Sequence, residues 1–281
     1  MTGTPFTVRA MQATDLPVCL SFTQAVKWPH RDIDWQLHYE TGNGSVITGE
    51  NDDIVGCILW WDYENCATVG LVVVPDHMQG QGLGRRLMNT VMSQAGDRTL
   101  MLVATEAGKR LYEQCGFSVT DNVTQVQGTL TGLPMKPDVP DVISSMQQDD
   151  IQDVFSFDAL AYQCDRSKLL GSFFSLAQGV VVRDGDALTG FAFLRTSGRG
   201  QTIGPVVAAS EDVAEALILT LLENVEGFVR FDLTGCAEGV KTWLMDAGLQ
   251  QVDYVCVMQK GEKSQGDGSR KVFALASQAF G

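Results

Sequence analysis

Two kinds of hydrophobic pattern alternate along the first 130 residues. Short runs of apolar and β-branched side chains predict strands, and stretches with apolar side chains three or four residues apart predict amphipathic helices. The strand patterns cover 6–10, 45–49, 54–63, 68–74 and 100–104, and a last one continues through residue 126 or beyond. The helix patterns cover 14–26, 32–39, 83–91 and 107–114. The predicted order is β-α-α-β-β-β-α-β-α-β.

The second half of the chain repeats this order of elements, which indicates an internal duplication. Gly56, in a strand of the first half, has a counterpart at the same place in Gly190. Between the halves, residues 131–140 contain three prolines and several polar side chains, a composition typical of a linker. The sequence therefore predicts domains at 1–130 and 141–281.

A glycine-rich turn joins the strand at 68–74 to the helix at 83–91 and contains Gly80, Gly82 and Gly84. The first N–H groups of a helix lack partners and lie at the positive end of its dipole, so they favour an anion. Glycine lets a phosphate approach the backbone without a clash at Cβ. The sequence predicts an anion site here, and the alternative is a tight turn that binds nothing.

The residues around this turn distinguish among known anion-binding motifs. The turn lacks the Gly-Lys-Ser/Thr of a Walker A loop, and its third glycine comes one residue too early for the Rossmann pattern. The pattern Gln-x-x-Gly-x-Gly, from Gln79 to Gly84, resembles the acyl-CoA pyrophosphate loop of the GNAT N-acetyltransferases. About 25 residues later, Leu111-Tyr112-Glu113 followed by Gly116-Phe117 resembles the second hallmark of the same family.

The resemblance implies an α/β (α+β) fold with two GNAT-like domains in tandem, each a mostly antiparallel mixed sheet with helices on both faces. It also implies that the turn holds the CoA pyrophosphate and that the preceding strand binds the pantetheine arm. The residues implied in acetyl-CoA binding are Val72, Val73, Val74, Gln79, Gly80, Gln81, Gly82, Leu83, Gly84 and Arg85. Because CoA is polyanionic, a local group of cations is expected, and the candidates are Arg85, Arg86, Lys109 and Arg110.

The second copy has lost the glycine turn. Residues 208–214 stand in its place, where Glu211 and Asp212 suit a helix N-terminus but repel a pyrophosphate. We therefore expect one CoA site, in the first domain. The whole chain resembles a tandem GNAT subfamily with a degenerate C-terminal domain, in segments that include Gly204-Pro205 and the apolar stretch 273–277.

The implied reaction is transfer of an acetyl group from acetyl-CoA to a primary amine of a small molecule. Related enzymes place a tyrosine at the position of Tyr112 as the general acid, and a tyrosine buried in the core is the alternative. The base is predicted less directly, because the strand at 68–74 contains no carboxylate. Glu106, acting through water, is the first choice, and Asp62 or Glu64 is the second. Deprotonation by solvent remains open.

A second class of function is a non-catalytic acyl-CoA sensor whose second domain binds a partner. The intact Tyr112 favours the enzyme, since a sensor needs no proton donor. A longer acyl group, the amine acceptor, the oligomeric state and the role of the second domain stay open. Possible acceptor-pocket walls, with a core role as the alternative, are Trp28, His30, Trp35, Trp60 and Trp61.

Composition narrows the remaining classes of protein. The net charge of −14 argues against a nucleic-acid partner, which favours a basic face. No run of ~20 apolar residues predicts a membrane span, and no secretory signal is expected at the start. The seven cysteines are scattered and predict reduced, mostly buried thiols of a cytoplasmic protein. The three histidines have no metal-ligand spacing, so no metal is expected.

Overall fold

A computed structural model of the chain describes residues 6–135, 142–262 and 266–281. The first half contains every predicted helix and strand, in the predicted order. They are β1 (Thr7–Ala10), α1 (Leu16–Ala25), α2 (Asp32–Thr41), β2 (Asn43–Thr48), β3 (Ile54–Tyr63), β4 (Cys66–Val73), α3 (Leu83–Ala95), β5 (Thr99–Ala104), α4 (Glu106–Gln114) and β6 (Ser118–Thr129). The helix pattern predicted from residue 14 begins with a short 3-10 turn at Ala13–Asp15, and α1 follows from Leu16.

The second half repeats these elements and adds one strand. They are β7 (Val142–Ser145), α5 (Ile151–Tyr162), α6 (Ser167–Leu176), β8 (Gln178–Asp184), β9 (Ala187–Ser197), β10 (Gly200–Ala208), α7 (Glu211–Leu222), β11 (Phe228–Thr234), α8 (Glu238–Asp246), β12 (Gln250–Lys260) and β13 (Lys271–Ala274). The predicted α/β fold class is confirmed. The sequence patterns missed β7, α6 and β13. Of the predicted linker, only 131–135 lies inside the described residues.

The thirteen strands form one continuous sheet across both halves, in the order β1-β2-β3-β4-β5-β12-β6-β11-β13-β10-β9-β8-β7. The centre of this sheet contains a strand exchange. β12, from the second half, pairs with β5 of the first, while β6, from the first half, pairs with β11 of the second. β6 and β12 also pair with each other. The last long strand of each half therefore completes the sheet of the other, which ties the halves together through backbone hydrogen bonds.

The helices cover the sheet in two different ways. On one face, α3 and α4 pack on the first half and α7 and α8 on the second, each pair with its own core. Helix α3 shows why: Leu83, Leu87, Met88 and Val91 recur at helical spacing and are buried. On the other face, α1, α2, α5 and α6 enclose one core common to both halves. We call this the shared face.

A buried ion pair joins elements of the second half beneath this core. Arg166 donates to both carboxylate oxygens of Asp158, at 2.9 and 2.7 Å, and both side chains are fully enclosed. Arg166 also donates to the carbonyl oxygen of Gly281 at 2.6 Å and lies 3.8 Å from the ring centroid of Tyr162. A buried charge needs such compensation, since leaving it unpaired is costly. Arg166 therefore fixes the last residues of the chain against α5.

The cysteines correct one prediction. Cys66 at the start of β4 and Cys164 just after α5 form a disulfide bond, with 6.1 Å between their Cα atoms. The expectation that all seven thiols are reduced is wrong, because packing on the shared face joins cysteines 98 residues apart, which no spacing rule detects. Closing a loop of this length stabilises a fold by roughly 4–5 kcal/mol in the chain-entropy model.

No described helix is long and apolar enough to cross a membrane.

We predict that this bond can be detected by counting thiols. The protein is unfolded without reductant, alkylated and weighed by mass spectrometry. We expect label on the five cysteines outside the bond, which are Cys19, Cys57, Cys115, Cys236 and Cys256. As a control, the Cys66→Ser variant should make Cys164 available to the reagent. Label on all seven cysteines of the untreated protein would contradict the disulfide.

Candidate functional site

The glycine turn lies open to solvent at the end of β4. Gly80 and Gly82 have left-handed backbone angles, with φ of +78° and +75°, which glycine adopts without strain. A Cβ atom at either position would meet nothing within 4 Å, so the space beside the turn is empty. The side chain of Gln79 closes the turn by donating to the carbonyl oxygen of Val74 at 3.1 Å and to Asp76 at 3.0 Å.

Helix α3 begins directly after this turn without a cap. Its N-cap residue is Gly82, no side chain caps it, and its first turn contains no acidic residue. The backbone N–H groups from Gly80 to Arg85 meet no acceptor within the described part of the chain, and the first such bond is from Arg86 to the carbonyl oxygen of Gly82. Several unpaired donors therefore converge at the positive end of a helix.

The equivalent helix α7 in the second half is satisfied internally. Ser210 is its N-cap, and its hydroxyl accepts from the N–H of Val213. Glu211 and Asp212 occupy its first turn, and Glu211 accepts from the N–H of Val240 at 2.9 Å. The first turn of α7 thus has an internal cap and two carboxylates, whereas the first turn of α3 has neither.

Two of the four candidate cations, Arg85 and Arg86, lie in the first turn of α3 directly after the open turn, and the other two lie on α4. Arg85, Arg86 and Arg110 are exposed and Lys109 is half-buried, and none forms an ion pair with the described residues. Arg85 donates to the side-chain oxygen of Gln114, which links α3 to α4. Gly84 differs from the other two glycines: a Cβ there would lie 3.1 Å from Leu111, so Gly84 also lets α3 and α4 approach closely.

Strands β4 and β5 separate next to this turn. They pair in parallel from Cys66–Val69 and Thr99–Leu102, and beyond that point β4 continues without β5. One extra residue in β4 forms a bulge at this place, where Leu71 has φ of +51°. Val72, Val73 and Val74 follow the bulge. We call the opening between the separated strands the β4/β5 fork; it leaves one edge of β4 without a strand partner, as a pantetheine site along these valines requires.

The second half contains the same fork, but the chain itself fills it. Strands β10 and β11 pair only at Gln201–Thr202 with Val229–Arg230, and β10 has a bulge at Gly204-Pro205. β13 enters between them, and Ala274 pairs with both Val206 and Leu233. This second fork therefore has no free strand edge where β13 pairs.

Tyr112 lies on α4, in the core that also contains Leu83 and Ala104. Its ring is buried, and burial raises the pKa of its hydroxyl to about 12. The hydroxyl forms no hydrogen bond to the described residues, and it is not one of the fully buried polar atoms that lack a partner. The side chain is thus a neutral, unused donor beside the end of β5.

The structure places Glu106 apart from the other two candidate bases, whereas the N–H of Glu64 donates to the carboxylate of Asp62 at 3.1 Å. Glu106 is exposed in the first turn of α4, directly after β5. Asp62 pairs with Arg98 at 2.7 and 2.9 Å, and Glu64 lies in the turn before β4. Asp62 and Glu64 are therefore near the start of β4, whereas the fork and the glycine turn follow its other end. Of the three, only Glu106 adjoins the C-terminal end of β5.

A cavity of about 320 Å³ lies on the shared face beside the fork. We call it the interdomain cavity. The first half contributes Thr68, Met101, Leu102, Val103 and Asp121, and the second half contributes residues of α5, β11, β12 and the segment 270–281. The same segment covers the fork, because a Cβ at Gly70 would lie 2.9 Å from the Cβ of Ala279. The hydroxyl of Tyr63 anchors it by donating to the carbonyl oxygen of Phe280 at 2.9 Å.

The five proposed pocket walls do not line this cavity. The indole N–H groups of Trp35 and Trp61 donate to buried threonine hydroxyls, and that of Trp60 donates to Gln94 on the opposite face. Trp28 stacks edge-on to His30. Burial lowers the pKa of His30 to about 4, so this imidazole is neutral at neutral pH. The sequence analysis missed the segment 270–281 as a wall, although its apolar run at 272–276 was a signal for a buried element.

No group of described residues could hold a metal ion.

Fold and site together define a protein of the acyltransferase class with two similar domains. Residues 11–117 match the acetyltransferase (GNAT) family, and residues 154–274 match a second acetyltransferase (GNAT) domain. The chain therefore belongs to the GNAT family and is an N-acetyltransferase with two GNAT domains in tandem.

Relatives support this assignment along most of the chain. An uncharacterized N-acetyltransferase, YitH, from Bacillus subtilis is 27% identical over 90% of this chain and 91% of its own length. A holothin acyltransferase from Pseudoalteromonas is 25% identical over 82% and 79% of the two chains. A putative acetyltransferase from Pyrococcus horikoshii has the same fold, with a TM-score of 0.81 at 20% identity over 100% and 97%. A tandem GNAT protein from the clavulanic acid biosynthesis pathway has a TM-score of 0.65 at 15% identity. The match covers 92% of this chain and 100% of that protein.

We predict that charge at Gly82 controls CoA binding. Asparagine and aspartate both tolerate left-handed backbone angles, so Gly82→Asn and Gly82→Asp differ mainly in charge. We expect the aspartate to repel the pyrophosphate and weaken CoA binding at least about 10-fold relative to the asparagine, which corresponds to about 1.4 kcal/mol. Calorimetric titration gives the affinities, and thermal unfolding checks that both variants are folded. Equal affinities would remove the turn from the CoA site.

Proposed function

We propose that this protein transfers an acetyl group from acetyl-CoA to a primary amine of a small molecule. The proposal rests on one observation: two openings in the structure lie next to each other. The β4/β5 fork and the uncapped turn form an open anion site in the first domain, and the interdomain cavity reaches the same fork from the shared face. A donor and an acceptor can thus approach one point from two sides.

The donor side has the chemistry that acyl-CoA needs. Free N–H groups from Gly80 to Arg85 suit the pyrophosphate, and Arg85, Arg86 and Arg110 add charge. The unpaired edge of β4 at Val72 and Val73 offers backbone groups to the amides of the pantetheine arm, as an added strand would. The family match of the first domain to the GNAT acetyltransferases supports the same donor.

The reaction then requires two proton movements. An alkyl ammonium has a pKa near 10 and must lose a proton before its nitrogen attacks the thioester carbon. As the new C–N bond forms, the C–S bond breaks and the sulfur leaves as a thiolate. Tyr112 can donate a hydrogen bond to that sulfur, because its raised pKa of about 12 keeps the hydroxyl protonated at neutral pH. Glu106, through water, or solvent itself accepts the proton from the amine.

We also propose that the protein works in the cytoplasm, because an acyl-CoA donor is an intracellular metabolite. The cysteines do not support this location, since two of them are bonded to each other.

We predict that Tyr112→Phe slows the acetyl transfer. The substitution keeps the ring that packs near Phe117 and removes only the hydroxyl. We expect kcat to fall roughly 10- to 1000-fold, the scale of a lost acid catalyst, with CoA affinity little changed. Release of the CoA thiol from acetyl-CoA is measured over a panel of primary amines.

The exposed Tyr254 on β12 provides a matched control, since Tyr254→Phe removes a hydroxyl from the surface. Its kcat should match that of the natural protein. A Tyr112→Phe variant with more than half the natural kcat would exclude this hydroxyl from the mechanism. Tight CoA binding without transfer to any amine would favour the sensor function instead.

A further inference from the structure

The interdomain cavity has apolar walls and a charged rim. Met101, Val103, Val257, Val272 and Leu275 supply apolar wall surface. Three charged side chains also line it, and we call them the rim charges: Arg270, Lys271 and Asp121. In a chain with a net charge of −14, a cavity lined by two cations and one carboxylate has the opposite balance of charge.

None of the rim charges forms an ion pair with the described residues. Arg166 binds Asp158, and Arg195 donates from Nη2 to the carbonyl oxygen of Ala276, although its buried Nε has no partner among the described residues. The Nε atom of Arg270 is buried and has no hydrogen-bond partner among these residues. Buried polar atoms are normally paired, so an unpaired one facing a cavity indicates a missing acceptor.

Two of the rim charges, Arg270 and Asp121, contact neighbouring residues. The guanidinium of Arg270 lies 5.0 Å from the ring centroid of Phe157, and its Nη1 atom donates to Ser269 at 3.1 Å. Asp121 accepts from the N–H of Asn122 at 2.8 Å, and its carboxylate rests against Gly235, where a Cβ would clash. Such positions favour specific recognition, because less side-chain entropy is lost on binding.

The order of strands places the two signs of charge differently with respect to the fork. Asp121 on β6 pairs with Val257 on β12, which pairs with Val103 on β5. Two strand spacings separate Asp121 from β5, or about 10 Å. Arg270 and Lys271 come from the segment that enters the second fork. Because β6 lies between β5 and β13 in the sheet, the carboxylate of Asp121 lies between the fork and the two cations.

We propose that the acceptor is an amine that also carries a carboxylate, such as an amino acid with an apolar side chain. Its carboxylate binds Arg270 and Lys271, its amine lies toward Asp121 and the fork, and its side chain contacts the apolar walls. Arginine suits a carboxylate because its N–H groups match the two oxygens. This inference rests on the proposed function and specifies the class of acceptor, so its test must separate the two.

The test compares L-amino acids that have apolar side chains with their amides, which keep the amine and lose the charge. The kcat/KM for release of the CoA thiol is measured for each acid and its amide. In the Arg270→Gln, Lys271→Met double variant, we expect the acid-to-amide ratio to fall at least about 10-fold, the loss typical of charge-assisted hydrogen bonds. The amines of the acid and the amide differ in pKa. This difference cancels, because the acid-to-amide ratio is compared between the natural protein and the variant with the same substrates.

Arg199→Gln, at an exposed arginine away from the cavity, is the matched control and should leave the ratio unchanged. A ratio that stays within twofold in the double variant would overturn the inference. If no amine is acetylated, the proposed function fails, and calorimetric titration of the natural protein still decides the inference. Tighter binding of the acids than of the amides supports a carboxylate site, and equal or weaker binding contradicts it.

Discussion

The backbone hydrogen bonds at the two forks are the constraint on which the site depends. A buried N–H or C=O group that lacks a partner costs about 1–3 kcal/mol, so a strand edge opened inside a sheet must be filled. At the second fork, β13 fills it from within the chain, and Ala274 bridges both strands. At the β4/β5 fork no strand does so. The same bulged geometry therefore gives a strand edge that β13 pairs in one half and an edge without a strand partner in the other.

The strand exchange explains why the two halves act as one body. β6 and β12 each complete the sheet of the opposite half, and their mutual pairing lies at the centre. The interdomain cavity lies over these central strands, so its walls come from both halves. The second domain thus has a structural role: it supplies β12, the wall from 270 to 281 and the anchor at Arg166.

Local patterns predicted much of this architecture, and contacts between distant residues account for what they missed. The period of Leu83, Leu87 and Val91 and the glycines of the turn were enough for α3 and its open N-terminus. For the second fork, the sequence predicted one feature and missed another. Glu211 and Asp212 indicated that the anion site is lost. Strand β13 was missed, because its four residues are too few to show the alternation of apolar and polar side chains that predicts a strand. The disulfide depends on packing between halves, which sequence spacing does not contain.

The same limit applies to the candidate site. Tyr112 was predicted as the general acid from the resemblance to the GNAT family. The structure adds that its ring is buried and that its hydroxyl has no hydrogen-bond partner among the described residues. The tryptophans suggested a pocket, yet hydrogen bonds to Thr23 and Thr41 place two of them in the core. Charges that line the interdomain cavity, such as Asp121 and Lys271, are 150 residues apart in the chain and become neighbours only through the exchange of strands.

The central claim is that the first domain alone has an open fork, and the number of CoA molecules bound per chain tests it most directly. Native mass spectrometry of the full chain, titrated with CoA, reports this stoichiometry for each species separately. The account predicts that binding saturates at a single CoA per chain, and that Gly82→Asp reduces this occupancy while Gly82→Asn does so far less. Saturation at two CoA molecules per chain, or a single one insensitive to charge at Gly82, would contradict it.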